Sequence, residues 1–255
     1  MCLIVSAWRA HPRYELVLAA NRDEFHRRPA AAARFWPEAP RLLAGRDQTQ
    51  GGSWCGVTRD GRVAAVTNYR DPSLAESGKR SRGHLVRDYL LGSEGAETAA
   101  ERNETHKTEY SEFNLLLGDA RGLWYVGSRN AGPQRLDAGV QGLSNGLLNT
   151  AWPKVTHAKT GLDRLLVEDS ITPEALFEIL GSRRIAPDSE LPDTGVGLQT
   201  ERFLSAPFIV SDAYGTRAST VLLITRDGGI RFIERCFDVT GECIGVTDES
   251  FRIEA

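Results

Sequence analysis

The chain has 255 residues, 41% of them hydrophobic, and 31 basic against 34 acidic side chains give it a formal net charge of −3. A chain of this length can bury roughly three-quarters of its unfolded surface, and we expect one domain over residues 1–255. The balance of charge and the lack of a long basic run exclude nucleic acid as an expected partner. The lack of a secretory signal or of roughly 18 consecutive apolar residues predicts a cytoplasmic protein without stable membrane insertion.

In chain order, the first predicted strand is the apolar run that follows Met1, and it begins with Cys2. A small second residue normally allows Met1 to be removed, which would make Cys2 the amino terminus. Its α-amine, with a pKa of about 7.7–8.0, can then accept the proton of its own thiol, with a pKa of about 8.5. The alternative is an unreactive, buried cysteine at the start of a strand.

A second apolar run, residues 16–20, follows a turn at residues 11–13, and the two runs predict a hairpin with buried strands. The second run leads directly into the tetrad Asn21-Arg22-Asp23-Glu24. If strand alternation continues, Asn21 and Asp23 share a face, and the carboxylate could lie near the α-ammonium of Cys2. The alternative is a solvated loop at the end of the strand.

The remaining hydrophobic patterns predict further hairpins and helices. The predicted strands are residue 57 with 63–67, 114–118 with 123–127, and 219–225 with 230–237; the predicted helices are 81–91, 94–107, 152–167 and 173–180. This order is typical of an α+β fold, a four-layer αββα sandwich. Residues 187–199, rich in Pro, Asp, Gly and Ser, predict a long loop, which either borders the site or is an uninvolved surface segment.

Other kinds of site are not supported by the sequence. The four cysteines, Cys2, Cys55, Cys236 and Cys243, form no CxxC pair, and we interpret the last three as buried thiols. The histidines have no metal-site spacing, so no metal is predicted. The G-x-S-x-G match around Ser144 lacks the downstream triad of an α/β-hydrolase, because only His157 follows it.

Several sequence blocks resemble a known family. They are Met1-Cys2-Leu3-Ile4, Asn21-Arg22-Asp23-Glu24, Gly51-Gly52-Ser53-Trp54-Cys55-Gly56, Thr67-Asn68-Tyr69-Arg70 and Leu143-Ser144-Asn145-Gly146. In these blocks the chain resembles the transport and Golgi organisation family, also called the NRDE family after its tetrad. The resemblance implies the fold of amino-terminal-nucleophile hydrolases, with two stacked antiparallel sheets between helical layers.

Within that superfamily the chain is most similar to the cysteine branch, which includes bile-salt hydrolases, penicillin V acylases and acylethanolamine amidases. The resemblance implies that Cys2 is the nucleophile and that Asp23 positions its amine. It also implies that Asn68 donates to the oxyanion, that Asn145 holds the amine or the substrate carbonyl, and that Arg217 stabilises charge around the thiolate.

The rest of the tetrad, Asn21, Arg22 and Glu24, is expected to bind the ligand. One departure concerns the arginine that the cysteine hydrolases carry three residues before their aspartate. Ala20 stands there in this chain, and Arg22 lies two positions further along, on the same predicted strand face. Whether Arg22 substitutes for the missing arginine stays open at the level of sequence.

The expected activity is hydrolysis of a linear, non-peptide carbon–nitrogen amide through a thioester, with no cofactor. The family resemblance also implies an association with haem trafficking, with lipid or acyl-coenzyme A metabolism and, in eukaryotes, with Golgi and mitochondrial organisation. The alternative is therefore a non-catalytic carrier whose partner is an amphipathic cargo, haem or acyl-coenzyme A. Arg22, Arg27, Arg28 and Arg70 could bind carboxylates or phosphates of a ligand, or could be solvated. The sequence makes no prediction of oligomeric state.

Overall fold

A computed structural model describes residues 2–73 and 80–254, with Cys2 described by its backbone alone. Over these residues the chain forms two antiparallel sheets stacked face to face, with α-helices on both outer faces. The predicted α+β, four-layer αββα sandwich is confirmed.

The strands and helices have the following bounds. The strands are β1 (Cys2–Trp8), β2 (Tyr14–Phe25), β3 (Ala30–Trp36), β4 (Ala39–Asp47), β5 (Cys55–Thr58), β6 (Val63–Asn68), β7 (Phe113–Asp119), β8 (Gly122–Gly127), β9 (Gln134–Arg135), β10 (Gly139–Leu143), β11 (Tyr214–Thr225), β12 (Gly229–Phe237) and β13 (Cys243–Arg252). The helices are α1 (Gly83–Leu91), α2 (Ala96–Thr105), α3 (Pro153–Val167), α4 (Pro173–Leu180) and α5 (Leu198–Ser205).

The first sheet has the strand order β10-β1-β2-β11-β12-β13, and the second has the order β3-β4-β5-β6-β7-β8-β9. In β1, Leu3 and Val5 pack against the helices, whereas Ile4 and Trp8 pack between the sheets. This alternation follows from the two-residue period of a strand. It explains why β1 is apolar on both faces.

Apolar clusters fill the three interfaces between the four layers. One lies between the sheets; a second joins the first sheet to α3 and α4; a third joins the second sheet to α1 and α2. Helix α3 contributes Val155, Ala158 and Leu162, which lie on one stripe of a 3.6-residue helix. The start of α3 is thereby held over the same face of the first sheet as Leu3 and Val5.

Most of the predicted elements are present. The hairpins β1–β2, β5–β6, β7–β8 and β11–β12 and the helices α1 to α4 form where the apolar periodicity predicts them. The tetrad 21–24 belongs to β2, so the alternative of a solvated loop is wrong. The strand continues because Asn21, Arg22 and Asp23 all find buried surroundings there.

Other sequence interpretations need correction. Helix α5 begins at Leu198, inside the predicted loop 187–199, and Asp188–Glu190 is a short 3₁₀ turn. Cys55 is buried as predicted, but Cys236 on β12 is half-buried. Cys243 is exposed, because it begins β13, the edge strand of the first sheet. In the described part of the chain, no helix combines the length and the apolar character needed to span a bilayer.

Candidate functional site

The tetrad 21–24 divides its side chains between the two faces of the first sheet. Within residues 16–20, the even-numbered side chains pack between the sheets and the odd-numbered ones pack against the helices. The same alternation turns the even-numbered members of the tetrad towards the second sheet and Asn21 and Asp23 towards the helices. The prediction that Asn21 and Asp23 share a face is therefore confirmed.

Arg22 lies directly across from Cys2 in the antiparallel register of β1 and β2. Ala20, which stands where the cysteine hydrolases carry arginine, lies across from Ile4 instead. Arg22 is thus nearer than Ala20 to the start of the chain. The thiol of Cys2, together with Met1, lies outside the described residues, so the predicted nucleophile is located only by its backbone.

Asp23 is a buried carboxyl group, only 1% exposed. The hydroxyl of Thr216 on β11 donates a 2.7 Å hydrogen bond to Oδ1 of Asp23 and accepts one of 2.9 Å from the Ile209 amide. Burial raises the pKa of Asp23; the charge of Lys154, the α-amino group of the chain, the Thr216 hydrogen bond and Arg22 act in the opposite direction. Asp23 therefore lies among positive charges that favour its ionised form.

Arg22 is held by an aromatic ring. Its guanidinium carbon lies 4.3 Å from the centre of the Trp54 ring, and a guanidinium over an indole face is attractive. The ring itself fits closely over Gly45 of β4: a Cβ at Gly45 would come within 2.1 Å of Trp54 Cζ2. Gly45 thus leaves the space that Trp54 needs in order to support Arg22.

The other tetrad residues have different partners. Asn21 donates from Nδ2 to the carbonyls of Leu180 (2.9 Å) and Pro207 (2.8 Å) and accepts from Ser219 (2.6 Å). Its amide therefore joins β2 to the end of α4 rather than facing the second sheet. Glu24 lies 3.8 Å from both Arg22 and Arg28, at the mouth of the site.

The two predicted asparagines meet between the end of β6 and the loop after β10. Nδ2 of Asn145 donates a 2.7 Å hydrogen bond to the Asn68 carbonyl, and the Arg70 amide donates to the Asn145 carbonyl at 2.7 Å. Among the described residues, no hydrogen bond engages the side chain of Asn68, which lines the cleft. The structure thus leaves the Asn68 amide available to a ligand, while Asn145 joins two loops.

Arg217 lies at a bulge in β11, between Thr216 and Ala218. Its Nη1 donates to the carbonyls of Phe25, His26 and Arg28 at 3.1–3.3 Å. It therefore fastens the turn between β2 and β3, and it is not among the described residues that line the cleft.

The cleft consists of two adjoining cavities around the ends of β2 and β6. The smaller, about 240 Å³, is lined by Arg22, Asp23 and Trp54 among others. The larger, about 720 Å³, is lined by Phe25, Tyr69 and other residues. Both are bordered by a shared set of polar residues: Glu24, Arg28, Asn68 and Arg82.

The arginines of the cleft differ in their surroundings. Arg27 is exposed, as the solvated interpretation expects. Arg28 pairs with Asp47 at 2.7 Å. The side chain of Arg70 is buried, pairs with Glu201 at 2.5 Å and stacks on Trp152; burial lowers its pKa. Within the described ranges, no group of three or more His, Cys, Asp or Glu side chains is placed to hold a metal ion.

Three residues of this site, Lys154, Trp54 and Thr216, were not predicted from the sequence. Trp54 occurs within the block Gly51-Gly52-Ser53-Trp54-Cys55-Gly56 and Thr216 directly precedes Arg217, but nothing local indicated the partners of either residue. The position of Lys154 in the sequence could have indicated a buried charge. It lies at helical spacing from Ala158 and Leu162, on the buried stripe of α3, where a lysine is rarely found without an opposite charge.

Comparison with solved structures agrees with this architecture. A mutant conjugated bile acid hydrolase from Clostridium perfringens superposes with a TM-score of 0.52 at 10% sequence identity, covering 99% of this chain and 92% of that one. The chain accordingly has the fold of the amino-terminal-nucleophile hydrolases. At this identity the likeness defines the fold alone.

Comparison with known sequences defines the family. The family model for Transport and Golgi organisation 2 matches residues 1–239. Transport and Golgi organization protein 2 homologs from Bos taurus and Homo sapiens are each 33% identical to this chain, over 92% of its length and 92% of their own. The protein belongs to the Transport and Golgi organisation 2 family.

Proposed function

We propose that the protein is a cysteine amino-terminal-nucleophile amidohydrolase that cleaves linear, non-peptide carbon–nitrogen bonds, with Cys2 as its nucleophile. The observation that carries the proposal is the β1–β2 register, in which Arg22 lies across from Cys2 and the buried Asp23 follows it. A nearby cation favours the thiolate, and a carboxylate favours an ammonium group beside it.

In the proposed reaction, the α-amine of Cys2 accepts the thiol proton, and the sulfur attacks the amide carbon of the substrate. The side-chain amide of Asn68 donates to the oxyanion that develops. The carbon–nitrogen bond then breaks, the amine leaves with the proton from the α-ammonium, and a thioester remains. Water gives a proton to the α-amine and attacks the thioester, which releases a carboxylic acid and restores the thiol.

The proposal is tested with protein whose intact mass shows that Met1 has been removed. A panel of fluorogenic N-acyl amides with acyl chains of increasing length is offered to the wild type and to Cys2→Ala. We expect amine release by the wild type and an acyl adduct on Cys2 in the intact mass. We expect no turnover by Cys2→Ala, because this variant lacks the thiol that attacks the substrate.

The matched control is Cys243→Ala, which removes an exposed cysteine on the edge strand β13. It should retain wild-type turnover. Turnover by Cys2→Ala at the wild-type rate, or by protein that still carries Met1, would exclude the proposed mechanism.

A second candidate function is supported by the larger cavity. It combines apolar and aromatic residues (Phe25, Tyr69, Pro72, Val196 and Tyr214) with arginines (Arg27, Arg28, Arg70 and Arg82). Such a surface suits an amphipathic cargo with an anionic group. On this alternative the protein is a non-catalytic carrier of haem or of acyl-coenzyme A. Histidine is not among the described residues of either cavity, so haem would be held there by its carboxylates.

Titration separates the two candidates. Haem, followed by absorbance, and a long-chain acyl-coenzyme A, followed by calorimetry, are added to the wild type and to Cys2→Ala. A carrier binds its cargo equally well in both forms and leaves an acyl-amide panel uncleaved. Binding that disappears with the Cys2 thiol would indicate that sulfur ligates the haem.

A further inference from the structure

Lys154 is a charged side chain in an apolar layer. It is the second residue of α3 and is only 2% exposed, although the neighbouring residue Val155 belongs to the core between α3 and the first sheet. An ammonium ion in such a position loses its hydration, and this loss has to be compensated by an opposite charge and by hydrogen bonds. A buried lysine therefore points to a buried carboxylate.

Asp23 is that carboxylate. It lies on the helix side of β2 and is 1% exposed. Among the charges that act on Asp23, Lys154 on α3 has the largest effect, ahead of the α-amino group of the chain and of Arg22 on β2. From β11, Thr216 faces Asp23 with a hydroxyl donor.

Contacts around the pair show that the same elements converge here. Lys154 borders a groove of about 430 Å³ together with Pro207. The carbonyl of Pro207 accepts a hydrogen bond from Asn21, which precedes Asp23 by two residues and shares its face of β2. The start of α3, the segment after α5 and the end of β2 therefore meet on the helix side of the first sheet.

We propose that Lys154 is a positioning residue of the amidohydrolase: its ammonium keeps the Asp23 carboxylate ionised, so that Asp23 can orient the α-amino group of Cys2. This inference rests on the proposed function. Without the lysine, burial would favour the neutral acid, and a neutral carboxyl group holds an ammonium far less well than a carboxylate does. The α-amine would then lose the orientation that it needs as a proton acceptor.

The test replaces Lys154 by methionine, which has a similar length and no charge. The carboxyl ¹³C signal of Asp23, assigned by its loss in Asp23→Asn, is followed from pH 3 to pH 9 by NMR. We expect the pKa of Asp23 to rise by at least one unit in Lys154→Met. The acidic limb of the kcat/KM profile should move to higher pH by the same amount. An Asp23 titration that is the same in Lys154→Met and in the wild type would overturn the inference.

Lys159→Met is the matched control, since this lysine lies further along α3 and donates to Asn149. It should leave the Asp23 signal and the rate profile unchanged. If Lys154→Met does not fold, the double variant Lys154→Met/Asp23→Asn, which removes both charges, is expected to fold. Failure of the double variant to fold would also contradict the pairing.

The two proposals can fail separately. A wild type without hydrolytic activity, but with an Asp23 signal that responds to Lys154→Met, excludes the hydrolase and the positioning role while it confirms the charge pair. If the wild type is active and Lys154→Met changes neither the Asp23 signal nor the rate profile, the proposed hydrolase function stands and the positioning role of Lys154 is excluded.

Discussion

Arg22 and Asp23 are neighbours in sequence but act on opposite sides of the first sheet. Arg22 faces the cleft between the sheets, where Trp54 supports its guanidinium. Asp23 faces the helical layer, where Thr216 donates to it. The proposed site is thus built around the end of β2, and the alternation of one strand supplies it with a cation on one face and a carboxylate on the other.

The support of Arg22 by Trp54 depends on Gly45. In Gly45→Ala the new methyl group would overlap the indole, so Trp54 has to move and Arg22 loses its platform. We expect the free energy of unfolding to fall by about 1–3 kcal/mol, the usual cost of overpacking a core. We also expect slower alkylation of Cys2 by iodoacetamide at neutral pH, because a displaced cation stabilises the thiolate less well. Urea denaturation and mass spectrometry measure the two effects.

Gly245→Ala is the control for Gly45→Ala. Gly245 also lies in a strand, β13, but a Cβ there would have no neighbour within 4 Å. Its substitution should leave both measurements at wild-type values. Unchanged stability and unchanged alkylation in Gly45→Ala would show that Trp54 does not need its present position.

Helix α5 illustrates how an element can be missed by sequence patterns. Its eight residues follow Gly197, which has a φ of +82°, and the preceding segment is rich in turn-forming residues. The helix is instead held by a distant partner: Glu201 pairs with Arg70 at 2.5 Å and accepts from both the amide and the hydroxyl of Thr194. Local composition contains no information about such a partner.

Glu201 joins α5 and the segment before it to the wall of the cleft. Glu201→Ala would leave Arg70 as a buried cation without this carboxylate, and we expect the protein to lose about 3–5 kcal/mol of unfolding free energy. Limited proteolysis should then cut more rapidly within residues 191–197, because the amide and the hydroxyl of Thr194 lose the carboxylate oxygen that accepts from both.

Glu97→Ala, in the exposed first turn of α2, provides the comparison for Glu201→Ala. A surface glutamate at a helix start contributes about 0.3–1 kcal/mol, so this variant should remain close to the wild type and retain its resistance to protease. Equal losses in the two variants would contradict a special role for the Arg70–Glu201 pair.

At the scale of the molecule, the layers could be predicted from the sequence but much of the connectivity could not. The apolar periodicity of α1 to α4 and of the hairpins is local, and it identified those elements. β3 and β4 were missed because they are rich in alanine, proline and arginine, which are weak strand formers. β13 was missed because most of its residues are exposed. The pairing of β2 with β11 joins distant parts of the chain.

The candidate site follows the same division. The predicted side chains that a motif identifies, Asp23, Asn68 and Asn145, do lie around the end of β2 and the end of β6. The family resemblance implied Arg217 too, but its hydrogen bonds go to the turn after β2. The supporting partners come from other elements, and their position depends on the tertiary fold.

A buried carboxyl group also joins the two sheets. Glu234 on β12 is fully buried, and its Oε1 accepts from the amide of Ala33 on β3 at 2.6 Å. Burial raises the pKa of Glu234 from its ordinary value of 4.5, although the Ala33 amide, the Cys236 thiol, Arg22 and Trp54 act in the opposite direction. The folded protein therefore holds this proton at pH values where the unfolded chain has already released it.

That difference in proton binding makes the free energy of unfolding depend on pH. Between pH 4.5 and the higher pKa of Glu234 in the folded protein, unfolding releases a proton, so stability falls as pH rises. The slope for one proton is about 1.4 kcal/mol per pH unit. Glutamine resembles the protonated acid and can still accept from Ala33, so Glu234→Gln should lack this loss and become more stable than the wild type towards neutral pH.

Urea denaturation of the wild type and of Glu234→Gln at pH 4 to 8 measures the difference directly, and the buried Asp23 contributes equally to both curves. Glu178→Gln, on the exposed face of α4, should run parallel to the wild type. Parallel curves for Glu234→Gln and the wild type would mean that Glu234 is ionised in the folded protein, with Arg22 as the nearby cation that compensates for its burial. The charge of Arg22 would then stabilise two anions, the Glu234 carboxylate that joins the two sheets and the proposed Cys2 thiolate.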